Sequence, residues 1–167
     1  MRILGIDPGY AIVGYGVLEY DNVRFKVVNY GAITTDPETP FPERLLEIHT
    51  DMCSILDGFK PDCMSIEKLY FNTNTTTGID VAQARGVTML AAAQRNIPIY
   101  EYTPLQVKVA VTGYGRAEKH QMQEMVKNIL HLKAVPKPDD TADALAIAIC
   151  HGHTGGSKLS EIMRDNK

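Results

Sequence analysis

Four carboxylates in this 167-residue chain occupy positions from which they could do chemistry. Asp7 follows the apolar run Ile3-Leu4-Gly5-Ile6 and precedes Pro8-Gly9, so it sits where a buried strand opens into a turn. Glu67 repeats the arrangement after Cys63-Met64-Ser65-Ile66. In α/β sheets, functional groups gather at such strand ends. Asp140 and Asp143 stand three residues apart at the start of a helix and therefore share a face. Each also has a plainer reading. Asp suits a turn, Glu suits a surface, and the backbone dipole favours Asp in a first helical turn. Asp139, four residues before Asp143, could share that helix face as well, and spacing alone does not separate it from Asp140. Taken together, three or four carboxylates converging without His or Cys describe a hard-cation site suited to Mg²⁺ or Mn²⁺. Such a site holds two ions about 3.5–4 Å apart and serves in-line phosphoryl transfer. Without metal, the four charges would repel one another.

The elements that must position these groups follow from periodicity and punctuation. Residues 2–7, 12–20 and 23–34 read as three strands, the last two separated by the turn signal Asp21-Asn22. Residues 42–58 show helical spacing of Leu45, Leu46, Ile48, Met52, Ile55 and Leu56. Strands are expected at 63–66 and 97–100, with a polar Asn/Thr loop at 72–77 between Glu67 and the next helix. Helices are expected at 79–94, 104–111, 117–130 and 140–151. The pattern is a mixed α/β sheet with helices on its faces. The helix at 79–94 is apolar almost all round, which predicts burial on more than one side. Ala82, Gly86, Val87, Met89, Leu90 and Ala93 exceed what one internal face requires, and a second subunit is the expected partner, with Met89 taken as an outward position. One domain over 1–153 and a frayed tail over 154–167 are expected.

Composition narrows the function classes. The apolar fraction of 44% is ordinary for a globular domain, and no apolar run approaches the ~20 residues of a membrane helix. The first residues run straight into Asp7, which predicts no signal peptide. Three cysteines without metal-finger spacing fit a reduced, cytoplasmic protein and read as core packing. A net charge of −3 argues against a nucleic-acid partner, but the charge is uneven. From Pro104 to Pro138 there are six basic residues, including Lys108, Arg116 and Lys119, against two acidic ones. Thr112-Gly113-Tyr114-Gly115-Arg116 precedes a helix, where small residues let backbone N–H groups approach a phosphate. A glycine-punctuated connector with solvated charges is the plainer reading. His151 and His153 read as helix-end residues, and His120 and His131 as surface residues.

The segments Gly5-Ile6-Asp7-Pro8-Gly9, Ile66-Glu67, Gln83-Ala84-Arg85-Gly86, Gln106-Val107-Lys108, Ala117-Glu118-Lys119 and Asp140-Thr141-Ala142-Asp143-Ala144-Leu145-Ala146, in this order and spacing, resemble the RuvC-type Holliday junction resolvases over nearly the whole chain. The resemblance implies an RNase H-like fold with a mixed five-stranded sheet, a homodimer, and a site of two Mg²⁺ ions, or Mn²⁺, held by Asp7, Glu67, Asp140 and Asp143. The family's D-x-x-D-A-L-A pattern assigns Asp140 over Asp139. It further implies a four-way junction substrate, paired cuts in strands of like polarity that leave 5′ phosphate and 3′ hydroxyl ends, and a branch-migration partner. Lys108 and Lys119 fall where related resolvases carry lysines facing DNA. Tyr70, with Phe71 beside it, falls where relatives place an aromatic that stacks near the junction centre.

Two other functions compete. Nucleotide-dependent phosphotransferases and chaperone-like ATPases share an RNase H-like core, but they use two such domains and a second phosphate loop, more than 167 residues are expected to supply. A non-catalytic junction-binding or RNA-processing relative would have little use for four mutually repelling carboxylates.

Overall fold

A computed structural model describes residues 1–69 and 75–155, with backbone only for 75 and 76. Tyr70 and Phe71 lie outside the described residues. Five strands, β1 (Arg2–Asp7), β2 (Ile12–Tyr20), β3 (Phe25–Thr34), β4 (Cys63–Glu67) and β5 (Ile99–Tyr102), form one sheet in the order β3-β2-β1-β4-β5. The first three are antiparallel neighbours, while β1, β4 and β5 run parallel. The helices are α1 (Phe41–Phe59), α2 (Thr75–Ala93), α3 (Pro104–Thr112), α4 (Lys119–Ile129) and α5 (Asp139–Gly155). This is the mixed, helix-flanked five-stranded sheet expected from the sequence.

Alternation along the strands sorts side chains onto two faces. Leu4 and Ile6 of β1 and Met64 and Ile66 of β4 enter one core with Ile48, Met52 and Leu56 of α1 and Ala84, Ala91 and Ala92 of α2. Ile3 and Cys63 enter the other, with Val107 of α3, Met122 and Val126 of α4, and Leu145 to Cys150 of α5. Period two then places Asp7 and Glu67 on this second face, beside α5. Glycines set how close α5 comes. A Cβ on Gly5 would lie 2.1 Å from the Ala144 carbonyl oxygen, and one on Gly14 would lie 2.0 Å from that of Asp140. Only glycine lets the helix backbone rest on the strands at these points.

Some boundaries differ from expectation, with local causes. The last strand starts at Ile99 because Ile97 N–H closes the end of α2 on the Ala92 carbonyl (3.1 Å), and Pro98 has no N–H to give. The α4 start moves to Lys119 because Glu118 and Gln121 form a reciprocal capping box. Helix α2 begins at Thr75, inside the stretch read as a loop. Helix α5 continues to Gly155, four residues past the end expected at 151, with the Thr154 hydroxyl donating to the Cys150 carbonyl at 2.6 Å.

The assignment of Met89 as outward is corrected. Met89 and Val87 pack against the core beneath α2. From Ile79 on, the exposed positions of α2 are Ile79, Gln83, Gly86, Leu90 and Ala93, a four–three–four–three spacing that draws one straight stripe along the helix. Ile79 is 55% exposed and Leu90 52%.

Candidate active site

Parallel pairing of β1 with β4, in register at Ile6 and Ile66, puts Asp7 and Glu67 at neighbouring strand ends. The first turn of α5 crosses above them and brings Asp143 in. Opposite stand Lys108, on α3, and Lys119, at the start of α4. Helix α3 is fixed by a capping box in which Thr103 Oγ1 accepts from Gln106 N–H (3.1 Å) and Gln106 Oε1 accepts from Thr103 N–H (2.8 Å). Asp7, Glu67, Asp143, Lys108 and Lys119 line a cleft of about 260 Å³, floored by Val107, Met122 and Ala146. A larger cleft of about 690 Å³ lies at the other end of β1, around Met1, Arg2, Arg24 and Lys60, and touches none of the candidate residues.

The charges within the site are strongly coupled. Burial pushes the Asp7 carboxyl up to about 8, and Asp143, Glu67 and Asp140 add to that rise, while Lys119 opposes it. Glu67 and Asp143 are raised as well, first by burial; Lys108 pulls Glu67 back down, and Lys119 does so for Asp143. Asp140 does not line the cleft, yet its charge reaches Asp7. Asp139 behaves differently. Lys137 Nζ donates to it at 2.6 Å and Lys119 Nζ pairs with it at 3.2 Å, holding its carboxyl down at about 2. Asp139 is thus engaged by two lysines, whereas the charge of Asp140 adds to the rise of Asp7, and neither lines the cleft. Lys119 also lies 3.6 Å from Asp143; although burial works against its charge, Asp139 and Asp143 push its ammonium above the usual range.

Among the described residues, no three His, Cys, Asp or Glu side chains stand close enough to enclose an ion in their present arrangement. The donor set nevertheless fits hard divalent cations, being carboxylate oxygen without His or Cys. Burial and the neighbouring carboxylates disfavour the charged form of Asp7, and a dication is the natural relief for such a group.

Arg116 is exposed in the connector between α3 and α4 and is not among the cleft-lining residues. His153 lies in the last turn of α5, as expected of a helix-end residue, and packs on Phe25, whereas His151 is buried inside the helix, 2.7 Å from the Tyr102 hydroxyl. Cys63 and Cys150 are buried and Cys53 is partly so. Burial pushes the Cys63 and Cys150 thiols up to about 12, as expected of packing residues. One participant escaped the sequence reading. Arg85 of α2 donates from Nε to the Glu67 carbonyl at 3.1 Å and pairs with Glu101 through Nη2. The sequence marks it only as part of the segment Gln83-Ala84-Arg85-Gly86; its contact with Glu67 leaves no pattern, because the acceptor is main chain.

Residues 3–151 match the family described as crossover junction endodeoxyribonuclease RuvC. The chain is 57% identical to the RuvC of Alkaliphilus metalliredigens over 93% of its own length and 94% of the relative's. Its structure superimposes on Thermus thermophilus RuvC with a TM-score of 0.86 at 34% identity, covering 93% of this chain and 95% of that one. T. thermophilus RuvC in complex with a Holliday junction substrate gives a TM-score of 0.85 at 32% identity, with the same coverage. The α/β sheet with its flanking helices is thus an RNase H-like fold, and the chain belongs to the RuvC family of crossover junction endodeoxyribonucleases.

Proposed function

We propose that this chain resolves Holliday junctions by hydrolysing one phosphodiester in each of two strands of like polarity. The observation that carries the reading is the single cleft in which Asp7, Glu67 and Asp143 face Lys108 and Lys119, with the charge of Asp140 acting on Asp7. Asp7, Glu67, Asp140 and Asp143 would hold two Mg²⁺ ions, or Mn²⁺, with Asp7 placed to serve both. Bound there, the ions supply Lewis-acid activation of a water and neutralisation of the leaving 3′ oxygen. Lys108 and Lys119 bring positive charge to the cleft wall, where a scissile phosphate must lie, and fix it against the carboxylates. Arg116, at the exposed connector, adds a phosphate contact further out, and Tyr70 or Phe71 supplies the aromatic that stacks at the junction. The products carry 5′ phosphate and 3′ hydroxyl ends, which a ligase can rejoin.

A junction is resolved only by two cuts related by a two-fold axis, and one cleft reaches one of them. A homodimer is the simplest assembly that reaches both. The stripe Ile79, Gln83, Gly86, Leu90 and Ala93 on α2 is the proposed interface, since its apolar members are exposed and Gly86 permits close helix approach. The work is cytoplasmic, alongside a branch-migration motor. No helix among the described residues is long and apolar enough to cross a membrane.

The direct test is a synthetic mobile four-way junction incubated with and without Mg²⁺. Paired, symmetric incisions that need the metal support the reading. Binding without incision in both Mg²⁺ and Mn²⁺ would overturn it in favour of a non-catalytic binding module.

A further inference from the structure

Glu67 is the last residue of β4, and the sheet gives it little support. Pairing with β1 ends one residue earlier, at Ile66, and pairing with β5 ends at Glu67 itself, opposite Tyr102. The backbone there is held by Lys68 N–H donating to the Tyr102 carbonyl at 2.8 Å. It is also held by a side chain from outside the sheet, Arg85 of α2, whose Nε donates to the Glu67 carbonyl at 3.1 Å. The same guanidinium pairs through Nη2 with Glu101 of β5. One planar fork therefore ties three elements together at the point where Glu67 leaves the sheet.

We infer that Arg85, braced by Glu101, is a positioning residue that sets the Glu67 carboxylate in the cleft. An exposed ion pair on a helix would be worth little, but two observations set this one apart. The Arg85 side chain is only 15% exposed, and one of its bonds goes to the main chain of a site residue rather than to another surface charge. The rigid guanidinium fixes both acceptors at once, which a lysine ammonium on a flexible stem does less well. A small displacement of the Glu67 backbone swings its carboxylate, and reacting groups tolerate little misplacement. The inference rests on the reading of Glu67 as part of a junction-cutting site.

The test uses the full chain with Arg85→Ala, Arg85→Lys, Glu101→Gln and the double variant Arg85→Ala/Glu101→Gln. Three quantities are measured: single-turnover cleavage of a four-way junction in Mg²⁺, junction binding in Ca²⁺, and calorimetric Mn²⁺ binding by the DNA-free protein. Arg85→Ala should cut about tenfold or more slowly, as losses of groups that orient site ligands do. It should also bind Mn²⁺ more weakly, with junction affinity unchanged. Arg85→Lys should recover part of the rate. Glu101→Gln should lose less in the same direction, and the double variant should be no worse than Arg85→Ala, since both substitutions break one brace. Wild-type cleavage and Mn²⁺ affinity in Arg85→Ala, or fully additive losses in the double variant, would overturn the inference. If Arg85→Ala does not fold, Arg85→Lys and Glu101→Gln decide, and wild-type behaviour in both overturns it. A wild-type protein that cuts no junction would instead refute the endonuclease reading, while the Mn²⁺ comparison would still decide the role of Arg85.

Discussion

Helices α2 and α5 look alike in sequence, each apolar around nearly its whole circumference, yet the molecule uses them in opposite ways. From Ala144 to Gly152 every residue of α5 is buried, because β1 and β2 lie beneath it and α3 and α4 close over it. Near its start Asp140 and Asp143 are only partly buried, while Thr141 and Ala142 between them are buried. Helix α2 packs on α1 and touches β5, leaving Ile79 and Leu90 half exposed on a straight stripe. An all-apolar helix therefore states that every side wants cover, not that the chain itself supplies it. Where the chain does, a buried helix end can hold charged groups in place. Where it does not, apolar side chains stay exposed, and that face is the proposed subunit interface.

The largest expected effect separates the two roles. Asp7→Asn keeps the shape of the side chain but removes the charge at the centre of the α5 site. Cleavage should fall by about a thousandfold or more, roughly 4 kcal/mol of transition-state stabilisation. The α2 stripe is untouched, so the oligomeric state and junction binding should survive. A folded Asp7→Asn protein that fails to bind the junction would count against the assignment of Asp7 to the reaction.

Leu90→Asp is the converse, at an exposed position of α2, whereas Met89 packs inward. A charge in the middle of the exposed stripe should give monomers by light scattering, with the metal site intact. Those monomers should nick a plasmid cruciform once and yield open circles, whereas the wild type should cut twice and yield linear plasmid. Linear product from a demonstrated monomer would remove the link between α2 and paired cutting.

The same substitution on the two sides should have opposite signs. In Gly5→Ala, the new methyl meets the Ala144 carbonyl oxygen at 2.1 Å, so α5 must shift; overpacking of this kind costs about 1–3 kcal/mol. In Gly86→Ala, the methyl meets nothing within 4 Å. Placed in the monomeric Leu90→Asp background, it should raise stability by up to about 1 kcal/mol through helix propensity alone. Denaturant midpoints read both, and equal signs would mean that α2 is covered within its own chain.

Which parts of this were legible beforehand follows from the physics of each signal. Asp7 and Glu67 could be read because a short strand with period two and a turn after it leaves few choices for where the last side chain stands. Asp139 and Asp140 could not be told apart by spacing, since both fall in one helical turn; what separates them is the pairing of Asp139 with Lys119 and Lys137. The phase of α2 was misjudged at Met89 because an almost wholly apolar helix has no polar side to orient it: the surplus residues include the exposed Gly86, Leu90 and Ala93 but also the inward Val87 and Met89, and they omit the polar Gln83. Arg85 was hidden for another reason: a main-chain acceptor 18 residues away leaves no trace in side-chain identity.

The smallest effect concerns protons at the α5 site. Folding raises the Asp7 carboxyl from its ordinary 3.8 to about 8, so the folded state binds this proton more tightly than the unfolded chain does. Stability from this group is then fully present below pH 4 and is lost as pH rises toward 8 in metal-free protein. A divalent ion takes the place of the proton, so Mg²⁺ should stabilise the protein more at pH 8 than at pH 6. For a chain of this size, each 1 kcal/mol moves Tm by about 2–4 °C, within reach of a thermal scan with and without Mg²⁺ at both pH values. Other carboxylates titrate as well, so the comparison that isolates Asp7 is with Asp7→Asn, in which any remaining Mg²⁺ stabilisation should depend less on pH. Lys119→Ala shifts the window in a known direction. It removes a cation that lowers the Asp7 pKa, so in the metal-free protein the loss of stability should continue to a higher pH. An equal Mg²⁺ effect at pH 6 and pH 8 in the wild type would show that the four carboxylates are not coupled through Asp7.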